Sequence, residues 1–327
     1  ADLLSSLSVA AFPIAALTFG LSNVSILLIA IIGALFDPAG YTARKTLLAD
    51  VAKKSDSSLD HLNGIHDGIM GASWIFGPAI GAGLISTIGS VNSFWAPAAL
   101  FVIAALAIAI LRVGDLGKDS QALAKEEGEV SDTRMRMGAK TLWNDKLLRT
   151  LSIALLILAA VYLPTEAIVL PTYFENVNNP AGLGLVISAL AAGSAIGSFG
   201  YGWISKRVSR KTLIRLIMLG SAISIIPMAF LPALPLLMAA GFFLGLSWGP
   251  YSPLVNTLVQ QRIPAHLQGR VFGIQTAVFY VAPPLGMVLA GLSVESFGVS
   301  TTYVFLAAVL SVTSVLVLLT KSLRENF

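Results

Sequence analysis

The chain has 327 residues, of which 56% are hydrophobic and only 12% charged, about half the charge of an ordinary soluble protein. A soluble fold of this size cannot hide so much apolar surface from water, so lipid is the solvent that fits. The absence of cysteine excludes disulfides and thiol chemistry, and three histidines with no HExxH pattern give no basis for a zinc enzyme.

Ten apolar segments of near-membrane length follow one another, at 3–21, 24–46, 64–88, 92–111, 148–172, 182–204, 213–231, 235–258, 271–293 and 301–320. Their Pro and Gly residues are compatible with membrane helices. The first segment lacks a basic leader and is followed by nine others, so it reads as a span rather than a signal peptide. The expected class is an all-α membrane protein. With the N-terminus placed in the cytoplasm, all 21 Lys and Arg fall in cytoplasmic loops or at cytoplasmic helix ends. The positive-inside rule therefore puts both termini of the chain in the cytoplasm. It also accounts for the pI near 9.3 without nucleic acid.

Residues 113–146 carry Lys125, Glu126, Glu127, Glu129, Asp132, Arg134 and Arg136 and form a solvated linker with room for some helix. The chain thus divides into 1–112, the linker, and 147–327, with four spans before the linker and six after it. The two parts repeat each other. At a shift of 205, His61-Leu62 meets His266-Leu267, Gly64 meets Gly269, Pro78 meets Pro283 and Gly81 meets Gly286. At 212, Gly33 meets Gly245 and Pro38 meets Pro250; at 214, Pro13 meets Pro227. Spans 1–4 pair with spans 7–10, leaving spans 5 and 6 without partners. The expectation is that two further spans precede Ala1.

The chain resembles the major facilitator superfamily along its whole length. Gly202 to Lys211 resemble the family's cytoplasmic loop motif, G-x-x-x-D-R-x-x-R-K, through Gly202, Arg207, Arg210 and Lys211, with Lys206 in place of the Asp. Basic residues there also suit helix termini and positive-inside anchoring, so a gating role and plain anchoring stay open. Gly64, Ser73, Gly77-Pro78, Gly81 and Ala82 fit the antiporter motif G-x8-G-x3-G-P-x2-G-G, with Ser73 and Ala82 still small. Small residues allow close helix contact. Gly193, Ser194, Gly197, Ser198 and Gly200 offer a matching surface. The resemblance implies that 182–204 packs on 64–88, with Gly77 and Gly81 against Gly193 and Gly197. Phe36-Asp37-Pro38-Ala39, Leu62-Asn63-Gly64, Ile263-Pro264 and Gln268-Gly269-Arg270-Val271-Phe272 are similar to the macrolide and siderophore exporters. The Arg that many drug–proton antiporters carry before the equivalent of Gly33 is absent.

This resemblance implies two helical bundles, with ten of the usual twelve helices present. It implies a monomeric exporter of lipophilic or cationic small molecules in the bacterial cytoplasmic membrane, working by proton antiport and needing no cofactor. Ionisable residues at membrane depth are costly and default to function. Glu166, in the middle of span 5, is the first candidate for proton or substrate binding. Asp37 is the second, although its carboxylate could equally cap backbone freed by Pro38. Tyr251, Asn256 and Gln260 are uncharged cavity candidates on span 8, and Trp248 reads as cavity lining or interfacial belt. Asp67, about one turn inside span 3, and His66 are expected to be wet. No Walker A sequence is present, and no nucleophile or His/Asp cluster suggests a membrane enzyme. An importer or facilitator of the same fold, or a non-transporting sensor, stays open.

Overall fold

A computed structural model describes residues 1–111, 135–320 and 323, without the side chains at 34–39, 74–75, 78–79, 82, 135–136 and 281. Asp37, Pro78 and Ala82, and most of the linker, therefore lie outside the residues whose side chains are described. Among the described residues every regular element is a helix. In lipid the backbone has no water to bond, and a helix satisfies it from within.

The elements are α1 Asp2–Thr18, α2 Asn23–Ser55, α3 Leu59–Ile88 and α4 Trp95–Ile110, then α5 Met135–Asn144 and α6 Lys146–Pro164. A π-helical turn, Thr165–Val169, joins α6 to α7 Leu170–Asn176. There follow α8 Pro180–Ile204, α9 Arg210–Ala229, α10 Leu234–Trp248, α11 Tyr251–Arg262, α12 Ala265–Phe297 and α13 Val299–Leu319. Caps fix several starts: Ser22 and Ser25 form a reciprocal capping box on α2, and Asp145 accepts from the Leu147 and Leu148 amides.

Among the described residues, seven helical stretches are long and apolar enough to cross a membrane: 92–110, 146–176, 180–204, 210–229, 234–262, 265–297 and 299–319. The other three expected spans are helices too, at α1, α2 and α3. Three local features differ from the expected spans, and the linker contains the helix it had room for. α2 runs on past the expected end at 46 to Ser55. α5 is an amphipathic helix inside the expected linker, packed on α12, where a Cβ on Gly138 would stand 2.7 Å from the Arg270 Cβ. Span 8 breaks at Gly249-Pro250 into α10 and α11. Span 5 contains the π turn, bracketed by Pro164 and Pro171, neither of which has an N–H to continue the ladder. The Thr165 and Thr172 hydroxyls donate to the carbonyls of Val161 and Ile168 at 2.9 and 2.7 Å.

α1 packs on α2 and α4; α9 packs on α10 and α13. That matching arrangement is what the sequence repeat leads one to expect. The two groups meet where α3 crosses α8 and α11, and where α2 crosses α12.

Candidate functional site

Glu166 sits in the π turn, half-buried, with the half-buried Tyr162 hydroxyl facing its carboxyl. π turns widen a helix and recur at functional sites. Nothing in the local composition announces one, beyond two prolines seven residues apart. The Tyr162 ring stacks on Trp248 at 5.7 Å between centroids and 13° between planes. Trp248 stacks in turn on Tyr251 at 5.5 Å and 10°. An aromatic column therefore runs from Glu166 across to the α10–α11 break. Tyr251 is fully buried and donates to the Leu151 carbonyl at 2.7 Å, so it anchors the column instead of lining an open cavity. Trp248 is half-buried.

A second polar layer lies toward the Lys- and Arg-rich helix ends. Asn256 bridges an acid–base pair on the other helix group. Its Oδ1 accepts from the Lys45 ammonium at 3.1 Å, and its Nδ2 donates to the Asp67 carboxylate at 3.2 Å. The other Asp67 oxygen meets His66 Nδ1 at 2.7 Å. Gln260 donates to the Lys45 carbonyl at 2.8 Å and accepts from Asn63 at 2.6 Å, and Asn63 also donates to Thr257 at 3.0 Å. Nearest the basic ends, Asp60 accepts from Tyr201 at 2.6 Å and pairs with Arg210 at 3.2 Å. Lys45, Asn63, Asp67, Asn256, Thr257 and Gln260 are all buried. Buried polar groups are costly unless partnered, so this layer holds the two helix groups together only while each bond is made.

Several expectations are revised here. Asp67 is buried at 9% exposure, not wet, and His66 is half-buried against it. Asn256 and Gln260 spend their amides on bonds between the helix groups. Of the loop motif, Arg210 and Gly202 join the seam; a Cβ on Gly202 would stand 2.7 Å from the His61 Cα. Arg207 instead lies over the exposed Trp203 ring at 3.9 Å, and Lys211 sits in the first turn of α9. Lys45, Asp60, Asn63 and Tyr201 were not candidates from sequence. Their partners lie far along the chain, and apart from Leu62-Asn63-Gly64 no local pattern marks them.

α3 does pack on α8, but at one end only. A Cβ on Gly64 would stand 2.8 Å from the Ser198 carbonyl, and one on Gly71 would be 3.4 Å from Ala195. Beyond that point Gly77 and Gly81 have nothing within 4 Å, and Ser73 is exposed, bonded to its own helix at Ile69. Gly193 and Gly197 face α10, not α3: a Cβ on Gly193 would collide with the Phe242 carbonyl. The helices thus touch along the Lys- and Arg-rich half and diverge along the other. Gly81→Ala is accordingly expected to leave this conformation intact. It should raise its thermal stability slightly in detergent, by about 0.5–1 kcal/mol, since Gly is a poor helix residue. A fall in stability would mean that the apparent gap is filled.

The sequence profile of the Major Facilitator Superfamily matches residues 3–274 and, in a second match, 167–326. The chain is 37% identical over 329 residues to the multidrug efflux pump Tap of Mycolicibacterium fortuitum, covering 99% of this chain and 79% of that one. It is 26% identical over 257 residues to macrolide efflux protein A of Streptococcus pyogenes, covering 75% of this chain and 60% of that one. Among solved structures, the proton:xylose symporter XylE superposes with a TM-score of 0.70 at 13% identity, covering 96% of this chain and 77% of that chain.

Proposed function

The chain belongs to the major facilitator superfamily, and from that premise we propose that it exports small lipophilic or cationic molecules across the bacterial cytoplasmic membrane, driven by proton influx. The observation that carries the reading is the similarity to a multidrug efflux pump over 99% of the chain. The half-buried carboxyl beside an aromatic column suits it, because a lone acid among rings attracts an apolar cation or a proton.

In this reading residues 1–112 and 147–327 are two bundles joined by the 113–146 linker, and ten helices cross the membrane. The basic helix ends and both termini face the cytoplasm, and the protein acts as a monomer. The Asp60, Asn63 and Asn256 contacts then form a closed cytoplasmic seam, while the divergence beyond Gly71 opens the Glu166 level to the outside. A rigid rocking of one bundle against the other would exchange the two openings.

The test is uptake of a fluorescent aromatic cation, ethidium, into everted vesicles carrying the protein. Accumulation well above that of empty vesicles, lost when an ionophore collapses the pH gradient, is expected. Accumulation indifferent to the ionophore would remove proton coupling, and no accumulation of ethidium or of an uncharged macrolide would remove export.

A further inference from the structure

Asp67 lies outside the Glu166 level, yet it is an ionisable side chain buried where the two helix groups meet. We propose that Asp67 is a second proton-binding group, and that proton uptake there releases the cytoplasmic seam through Asn256. This rests on the proton-coupled reading above.

Asn256 has one acceptor oxygen and one donor NH2. The oxygen faces Lys45 and the NH2 faces Asp67. Both bonds are made with Lys45 as an ammonium and Asp67 as a carboxylate. A proton on Asp67 Oδ2 sets a donor against the Asn256 NH2. Turning the amide over repairs that bond but sets its NH2 against the Lys45 ammonium. With His66 donating from Nδ1 to Oδ1 the added proton goes to Oδ2, and neither orientation of the amide then keeps both bonds, whereas one orientation makes both in the ionised state. Asn256 therefore reads the charge of Asp67 and makes its bridge conditional on it.

The surroundings add to this. Among the described side chains, the charged and titratable groups facing Asp67 are His66 on its own helix and Lys45, with Tyr41 beside it, on α2. From α11 come only the neutral Ser252 and Asn256. Among the described side chains, protonation of Asp67 would leave Lys45, buried at 8% exposure, facing no anion. A buried charge that loses its partner is strongly destabilising, and separation of the seam to admit water relieves it. Ser252 is half-buried one turn from Asn256, on the side toward Trp248 and Glu166. It supplies a hydroxyl between the two levels through which a proton can reach Asp67. The order this gives suits an antiporter: a proton arriving from outside opens the inside, and its release to the cytoplasm accompanies substrate loading.

The chain has no cysteine, so spin labels attach only where cysteine is introduced. Nitroxides at Lys53→Cys and Lys206→Cys, both exposed, report the distance across the seam by double electron–electron resonance in lipid nanodiscs. The parent is expected to show a short distance at pH 8 and a growing long-distance population as the pH falls. Asp67→Asn should show the long distance at pH 8 and lose the pH response. Asn256→Leu, which removes the reader and leaves the acid, should do the same and serves if Asp67→Asn does not fold. Asp60→Asn should weaken closure while keeping the pH response. A pH response that persists in Asp67→Asn or Asn256→Leu overturns the proposal, even where ethidium uptake remains gradient-dependent. A parent whose seam ignores pH overturns it as well; if uptake is also indifferent to the ionophore, the proton-coupled reading falls with it.

Discussion

Glu166→Gln is expected to insert and fold like the parent and to lose gradient-driven accumulation of cations. The carboxamide has the shape of the carboxyl and can keep a bond to the Tyr162 hydroxyl, so the π turn and the aromatic column should persist. What disappears is a charge that can be neutralised in two ways, by a proton or by a cationic substrate. From residue 150 to 174 the sequence has no other charged side chain, so nothing else on this span can take over the exchange. An isolated carboxylate away from bulk water costs several kcal/mol, and competition between two neutralising partners for that energy is a physical basis for antiport. Coupling of about 1–3 kcal/mol between proton and cation corresponds to a roughly 5–150-fold change in the affinity for one when the other is bound. The accumulation ratio between energised and collapsed vesicles should fall toward unity for ethidium in Glu166→Gln, while an uncharged macrolide still equilibrates. If the variant accumulates ethidium like the parent and still loses it on collapse, Glu166 is structural and Asp37 becomes the next candidate.

Glu166 was legible because a charge inside an apolar span is conspicuous in any window of sequence. The helices were legible for a related reason: lipid demands about 20 apolar residues per crossing, and this demand is local. The seam was not legible. Lys45 and Asn256 are 211 residues apart, and Asn63 and Gln260 are 197 apart. Lys45 and Asn63 are ordinary polar residues near span ends, where solvent is the default reading, and Asn256 and Gln260 read as cavity lining with no sign of those partners. The glycine surfaces were half legible. Small residues do mark close contacts, but 3.6-residue periodicity does not say which neighbour a face meets. Gly193 and Gly197 therefore looked like partners of Gly77 and Gly81, and they pack on α10 instead. The π turn and the break at Gly249-Pro250 arise from prolines that a membrane helix can also absorb without deviation, so the sequence leaves both outcomes open.

That distinction between glycine surfaces leads to the other large expected effect. Gly245→Ala should lose most of its folded yield and melt several degrees lower, whereas Gly64→Ala should fold well and fail to close. A Cβ on Gly245 would collide with the Leu190 carbonyl and stand 2.8 Å from the Ser194 nitrogen. Both are backbone atoms of α8, within one helix group. Nearby, the Ser198 hydroxyl bonds the Gly249 carbonyl at 2.8 Å, which fixes the same two helices together. A helix pair held this way has no alternative spacing, so the added methyl must be absorbed as strain, at about 1–3 kcal/mol or more. Gly64 faces α8 across the seam, where its added Cβ would stand 2.8 Å from the Ser198 carbonyl and 3.3 Å from the Gly202 nitrogen. There the clash is relieved by moving the two groups apart, a motion that transport already requires. One methyl should thus appear as lost stability inside a group and as a shifted conformational balance between groups. Melting in detergent reads the first, and the Lys53–Lys206 label distance reads the second. If Gly64→Ala melts as low as Gly245→Ala while its label distance stays short, the α3–α8 contact is part of a fixed core and not a surface that separates.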